Sequence, residues 1–220
     1  LKRAVKTKKS SDSTVIQFSV PGGETHGPGY DERFARILRT AARVIAEMGY
    51  EKASIRTIAS KTKMSIAGLY YYFKSKEEVL YLIQLYTFES LTRNLKERLS
   101  LEQGSSPERR IRIVVENHLQ HFLAHLPELK VCARELESLN GARYRHVLER
   151  RREYYHLTRE IIDELVAGSE QAIDTDLAAL SLFGILNWVY QWYNPRRHSD
   201  LGKLERQLTG IFLLGIKPRG

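Results

Sequence analysis

The sequence predicts an all-α protein of about nine helices, with a small N-terminal helix-turn-helix domain followed by a larger helical body. Three observations carry this. After residue 30, apolar residues recur at i, i+3, i+4 and i+7 in nearly every segment, the spacing that lines one face of a helix. Breaks in the pattern coincide with Ser, Asp, Gly and Pro at positions that start or stop helices. No segment alternates apolar and polar residues with the period of two expected of a half-buried strand, and no repeat of solenoid length is evident.

The elements follow in order. Residues 1–29 combine lysine clusters, serines and the stretch PGGETHGPG with little to bury, and are expected to form a mostly disordered basic arm. From Asp31, the residues Phe34, Ile37, Leu38, Ala41, Val44, Ile45 and Met48 form an apolar stripe that Gly49 ends. Ser54 caps a second helix to Lys61, and Ser65 caps a third, Ser65–Phe73, carrying Leu69, Tyr70 and Phe73. Ser75 with Glu78 makes a capping box for a long fourth helix to about Leu99. Ser105 with Glu108 makes another, ahead of a helix to about Leu126 that Pro127 ends or kinks. A shorter helix runs to about Leu139, closed by Asn140-Gly141, and residues 142–167 form a long charged one. Asp174 opens a strongly apolar helix that stops before Pro195, and Ser199 opens the last, with Leu201, Leu204, Leu208, Ile211, Phe212 and Ile216 on one stripe.

The charge is unevenly placed. Of the net +9, residues 1–30 hold +3 and residues 31–76 hold +6, while residues 77–220 balance at twenty basic against twenty acidic. A polyanion-binding N-terminal part on a neutral body accounts for this better than general solubility does. The domain division expected is therefore 1–29 arm, 30–76 head and 77–220 body.

Residues 54–76, SIRTIASKTKMSIAGLYYYFKSK, concentrate the functional signal. Two short helices joined by a tight turn present the second to a DNA major groove. Ile58, Ala59, Met64 and Leu69 supply the small and apolar contacts that let the pair cross, Ala59 permitting close approach. The exposed start, Ser65, Ile66, Ala67 and Gly68, is small enough to approach base edges, and Ile66 or Ala67 can meet a thymine methyl. Tyr70, Tyr71 and Tyr72 cannot all face inward on a helix turning about 100° per residue. Beside Lys74 and Lys76, exposed phenols suit phosphate contacts. Lys76 lies in the first turn of the fourth helix, where backbone N–H groups also favour an anion, and Arg56 is placed to reach a guanine or a phosphate.

These strings resemble the DNA-binding domain of the TetR family of bacterial one-component repressors over residues 31–85, through SIRTIA and above all LYYYFKSKEEVL. The resemblance implies DNA-facing positions for Arg56, Ser65, Ile66, Ala67, Gly68, Tyr70, Tyr71, Tyr72 and Lys76, and an internal Phe73. It further implies a second domain that holds a small ligand and dimerises through its last two helices. Two departures stand out: Lys63 replaces the usual turn glycine, and Ala67-Gly68 inverts the usual order of glycine and small residue, so no operator sequence carries over.

In the body, Leu177–Trp192 is apolar almost all round and needs cover from a partner, the core or both. With the terminal helix it would form a four-helix seam, setting two heads about one DNA turn apart over a palindrome. FGILNWVYQWYNP (183–195) resembles the penultimate helix of TetR-family regulators of fatty acid, steroid or aromatic acid breakdown, several of which answer to acyl-coenzyme A thioesters. Asn187, Trp188, Tyr190, Trp192 and Tyr193 suit either a pocket wall or a dimer seam. Arg145, Arg150, Arg151 and Arg152 suit either coenzyme A phosphates or a solvated face balanced by Glu149 and Glu153. His118, His121 and His125 share one face of the fifth helix with Phe122, as pocket or core groups rather than a metal site.

Other classes find no support. A single cysteine, Cys132, allows neither an internal disulfide nor a thiolate metal cage and fits a reducing cytosol. No apolar run reaches the roughly twenty residues of a membrane span, and no secretory leader is visible. No phosphate loop, GxSxG or HExxH occurs, so neither catalytic residues nor a cofactor are expected. The expectation is a cytoplasmic, homodimeric repressor of double-stranded operator DNA, released by an acyl-coenzyme A or hydrophobic carboxylate effector. A multidrug-type sensor with the same head is the alternative, and a helical enzyme that binds nucleic acid incidentally a more distant one.

Overall fold

The computed structural model describes residues 28–167, 172–194, 196–198 and 200–216. Residues 1–27 of the expected arm, and Pro195 and Ser199 at the last connection, lie outside them. Among the described residues there are nine α-helices and no strand: α1 (Pro28–Met48), α2 (Ile55–Thr62), α3 (Ile66–Tyr70), α4 (Lys76–Leu101), α5 (Pro107–Ala124), α6 (Leu126–Arg134), α7 (Gly141–Val166), α8 (Thr175–Trp192) and α9 (Leu201–Ile216). A single 3₁₀ turn, Leu136–Ser138, links α6 to α7.

Local chemistry sets most of the boundaries. α1 ends where Gly49 enters the left-handed region at φ +79° and its N–H bonds the Ile45 carbonyl at 2.8 Å. Ser54, Ser65, Ser75 and Asp174 each accept from a backbone N–H three residues on, which caps α2, α3, α4 and α8. Glu78 returns a bond to the N–H of Lys74, one residue before the cap. Three expectations need correction. The cap of α5 is Ser106, not Ser105, because Pro107 occupies the first helical position, where its missing N–H leaves nothing unsatisfied. The third helix stops at Tyr70 rather than Phe73, because Phe73 turns inward to stack on Phe34 at 5.1 Å between ring centroids. Asn140-Gly141 opens α7 instead of closing the helix before it.

Two apolar cores are strung on one helix. The head core joins Phe34, Ile37, Leu38, Ala41 and Ile45 of α1 to Ile58, Leu69 and Phe73, and takes Val79–Tyr86 of α4 together with Val131 and Val147 from the body. The body core gathers Leu91 and Leu95 of α4 with α5, α7, α8 and Phe212 of α9. Six consecutive α4 residues, Leu82–Thr87, are buried, so this helix is covered on every side midway along its length. Its buried amide is satisfied in place: Gln84 donates to the Glu135 carbonyl at 3.0 Å and accepts from Arg151 at 2.9 Å.

The turn between α2 and α3 keeps its shape despite lacking glycine. Lys63 takes φ 57° and ψ 40°, and its N–H reaches the Ser60 carbonyl. A side chain in this region costs about 1 kcal/mol or more. Lys63→Gly is therefore expected to raise stability by about 1 kcal/mol in urea denaturation; an unchanged or lower midpoint would show that the turn is not strained.

Candidate nucleic-acid interface and effector pocket

The reading element is built from outside in. Ile58, Ala59 and Leu69 are buried beneath α2 and α3, and this fixes which residues point outward. Arg56, Ser60, Lys61, Ser65, Ile66 and Ala67 are exposed on that surface. Gly68 has a local reason to be glycine: a Cβ there would lie 3.1 Å from the Ser65 Oγ, crowding the oxygen that accepts the Gly68 N–H at 3.0 Å.

The three tyrosines divide. Tyr70 is 51% and Tyr71 70% exposed, whereas Tyr72 is half-buried against Tyr30 at 4.6 Å between ring centroids. Tyr30 also meets the edge of Tyr71 at 5.8 Å, tying the start of α1 to the end of α3. Lys74 is exposed. Lys76 is not free: its Nζ donates to the Tyr50 carbonyl at 2.9 Å and sits 4.0 Å from the Tyr50 ring centroid. It binds the head of α4 to the α1–α2 loop, a contact between residues 26 apart that no local pattern discloses.

The body answers with its own hold on that loop. The Tyr50 N–H donates to Glu135 Oε1 at 3.2 Å, and Ser138 Oγ donates to Glu135 Oε2 at the same distance. Arg143 pairs with Glu77 at 2.8 Å, and Arg151 reaches the Cys132 carbonyl as well as Gln84. Sequence reading missed Glu135; its only signal was a carboxylate just after a short helix.

The eight residues expected at a ligand site separate into groups. His118 and His121 are 2% and 1% exposed, and none of their four ring nitrogens completes a hydrogen bond. His118 lies among Phe122, Tyr154 and Phe183, with ring centroids at 4.7, 6.0 and 5.9 Å. Burial pushes its pKa down to about 3; Asn187, exposed on α8, lies near enough to oppose this without closing a bond. Burial likewise lowers His121 to about 3, helped by His125 and His118. Both rings are therefore neutral, each with a donor and an acceptor unused in an apolar setting. His125 is only half-buried at the end of α5, its Nδ1 2.8 Å from the His121 carbonyl oxygen. Tyr190 lies under Arg134 at 5.4 Å. Trp188 and Trp192 are exposed on the outer face of α8, away from the histidines' core. Burial pushes the Cys132 thiol up to about 11, which suits packing and not nucleophilic attack. Among the described residues no three His, Cys, Asp or Glu side chains converge as metal ligands, and no helix is long and apolar enough to cross a membrane.

Leu177, Ser181, Gly184, Trp188 and Trp192 form one exposed stripe along α8, flanked by Ile211 of α9. Between the helices runs a groove of about 380 Å³ lined by Leu177, Ser181, Ile185, Ile211 and Phe212. An apolar face of this kind marks an interaction surface.

Comparison with known proteins agrees with this geometry. A family model described as "Bacterial regulatory proteins, tetR family" matches residues 37–81, and one described as "Tetracyclin repressor-like, C-terminal domain" matches residues 104–216. The fatty acid metabolism regulator protein of Bacillus subtilis (strain 168) is 24% identical over 194 residues, 84% of this chain and 95% of its own. Among solved structures, the TetR family transcriptional regulator PfmR from Thermus thermophilus superposes with a TM-score of 0.73 at 27% identity, covering 83% of this chain and 100% of its own. AibR, in complex with isovaleryl coenzyme A and operator DNA, gives a TM-score of 0.69 at 25% identity over 82% of this chain and 96% of its own.

The histidine pair has a measurable consequence. Because folding lowers both pKa values, the unfolded chain binds more protons below about pH 6.5. Their contribution should be fully present above that pH and lost towards pH 3, by up to about 1.4 kcal/mol per pH unit for each ring. Urea unfolding of the wild type and of His118→Gln/His121→Gln between pH 7.5 and 5 measures the difference. Parallel curves would mean that the rings are not buried neutral.

Proposed function

The chain belongs to the TetR family of bacterial regulatory proteins and is a DNA-binding transcriptional regulator, and from that premise we propose that it is a homodimeric repressor released by an acyl-coenzyme A or a related hydrophobic carboxylate. The observation that carries the DNA assignment is the outward set of Ser65, Ile66, Ala67, Tyr70 and Tyr71 on a head with net charge +6 over residues 31–76. Small side chains at the start of α3 approach base edges, while Tyr70, Tyr71 and Lys74 hold phosphates on either side. Arg56 lies on the same surface, at the start of α2. Lys76 and Tyr72 act mainly by bracing the loop and the phenols, and Gly68 by preserving the Ser65 cap.

Dimerisation through α8 and α9 is supported by their exposed apolar stripe, where Trp188 and Trp192 are anchors of the size that dominates interfaces. A twofold pairing there places two reading helices for a palindromic site. The regulator would work in the cytoplasm, where its DNA is. The head would run from the start of α1 to residue 76, since Pro28 and Gly29 belong to that helix and not to the expected 1–29 arm, and residues 77–220 would form the effector and dimer domain.

The effector assignment rests on His118 and His121 and on two relatives. Two neutral imidazoles with unused hydrogen-bonding groups, His118 among Phe122, Tyr154 and Phe183 and His121 beside Phe122, suit the carbonyl end of an apolar acyl chain. A fatty acid metabolism regulator is among the relatives, and AibR holds isovaleryl coenzyme A. His121 lies against the Thr87 backbone of α4, so a ligand there presses on the helix that carries the head.

The DNA reading is tested with Tyr71→Phe and Lys74→Ala. Each is expected to weaken operator and random duplex alike, by about 1 kcal/mol or roughly fivefold, and Lys74→Ala to flatten the salt dependence. Unchanged binding of both duplexes by both variants would remove the phosphate assignment.

A further inference from the structure

The head carries a second cationic feature that the reading surface does not use. Arg33 and Arg36 stand exposed on the polar face of α1, with Thr40 a turn further on. Facing them are Lys61 and Thr62 at the end of α2 and Lys63 and Met64 of the turn into α3. These seven residues line a groove of about 460 Å³ that holds four cations and no carboxylate. A shallower concavity of about 440 Å³ continues along α1 over Gly29, Glu32, Arg33, Arg36 and Arg39.

No described residue pairs with the cations of this groove. Among the described residues, none of Arg33, Arg36, Lys61 and Lys63 enters an ion pair, whereas six arginines of the body do, among them Arg109 with Glu102, Arg110 with Glu164, Arg143 with Glu77 and Arg159 with Asp176. Four cations facing one concavity repel one another until an anion enters it. Lys63 adds a second sign. It stands in a left-handed turn at φ 57°, where glycine would be relaxed, so a charge is kept there against backbone strain.

Position decides which anion. The turn that forms one wall leads directly into Ser65, and Tyr30, three residues before Arg33, packs on Tyr71 and Tyr72. The groove therefore lies between α1 and the turn that leads into α3, on the head that carries the exposed phenols. We propose that it binds the sugar–phosphate backbone of the duplex flanking the major groove that α3 enters, with Arg33 and Arg36 forking onto phosphate oxygens and Lys61 and Lys63 as point charges. The inference rests on the DNA-binding reading and extends it: α1 and the turn, besides α3, hold the duplex, and they do so without regard to sequence.

The test compares wild type with Arg33→Ala/Arg36→Ala by fluorescence anisotropy on a duplex selected from random DNA and on an unrelated duplex, across a salt titration. In the homodimer four phosphate contacts are lost per duplex, so the slope of log Kobs against log salt should fall in magnitude by about three to four, at roughly 0.9 per contact. Both duplexes should lose affinity by the same factor, tenfold or more, with an unchanged melting temperature. Lys63→Gly should melt higher yet bind DNA severalfold more weakly, a pairing that a purely structural turn residue would not produce. Arg112→Ala/Arg196→Ala, which removes two exposed charges from the body, should leave the slope as it is. An unchanged slope for the Arg33/Arg36 variant, or an equal fall for the body variant, overturns the groove alone. Wild type that binds no duplex at any salt overturns the DNA reading and the groove with it.

Discussion

The burial of α4 in two cores at once is the constraint on which the rest of the molecule depends. Its first half, Val79–Tyr86, completes the head core, and Leu91 and Leu95 lie in the body core. A close-packed helix covered on all sides cannot shift at one end without repacking the other. Helix α3, proposed above to read DNA, is held by Leu69 and Phe73 on that same head core. Its position therefore follows the axis of α4, so that repacking in the body reaches α3.

Polar contacts give this coupling a direction. The loop between α1 and α2 is gripped from two sides, Lys76 holding the Tyr50 carbonyl and Glu135 the Tyr50 N–H. Glu135 belongs to the α6–α7 junction, whose backbone is tied to α4 through Gln84 and to α7 through Arg151. Release of DNA by a ligand requires that the ligand bind one head arrangement better than the other, typically by about 1–3 kcal/mol. The buried histidines of α5, next to α4, are where a ligand would have that leverage.

How much of this was legible in the sequence varies with the range of the interaction. Helices announced themselves through apolar spacing, and Ser54, Ser65, Ser75 and Asp174 through capping chemistry, because each such signal acts over three or four residues. The choice between Ser105 and Ser106 was decided by the neighbouring Pro107, also local, yet two adjacent serines offered the same pattern. The exposure of Tyr70 and Tyr71 followed from helical geometry, since three successive phenols cannot share one face. The capture of Lys76 by Tyr50 and the reach of Glu135 to the head were hidden, because both depend on chain segments that only the tertiary fold brings together. The i, i+3 spacing placed His118 and His121 on one face, but their lack of partners depends on what Phe122, Tyr154 and Phe183 leave around them. Trp188 and Trp192 carried the same ambiguity between pocket and seam, and their exposure on the outer face of α8 favours the seam.

The claim that head and body share one structural spine is tested most directly by native-state hydrogen exchange of the full chain in low concentrations of urea. If α4 is common to both cores, its amides from Val79 to Leu95 should open together, with one free energy equal to that of global unfolding. Separate opening energies for the Val79–Tyr86 and Leu91–Leu95 halves, with the head exchanging while the body stays protected, would contradict it.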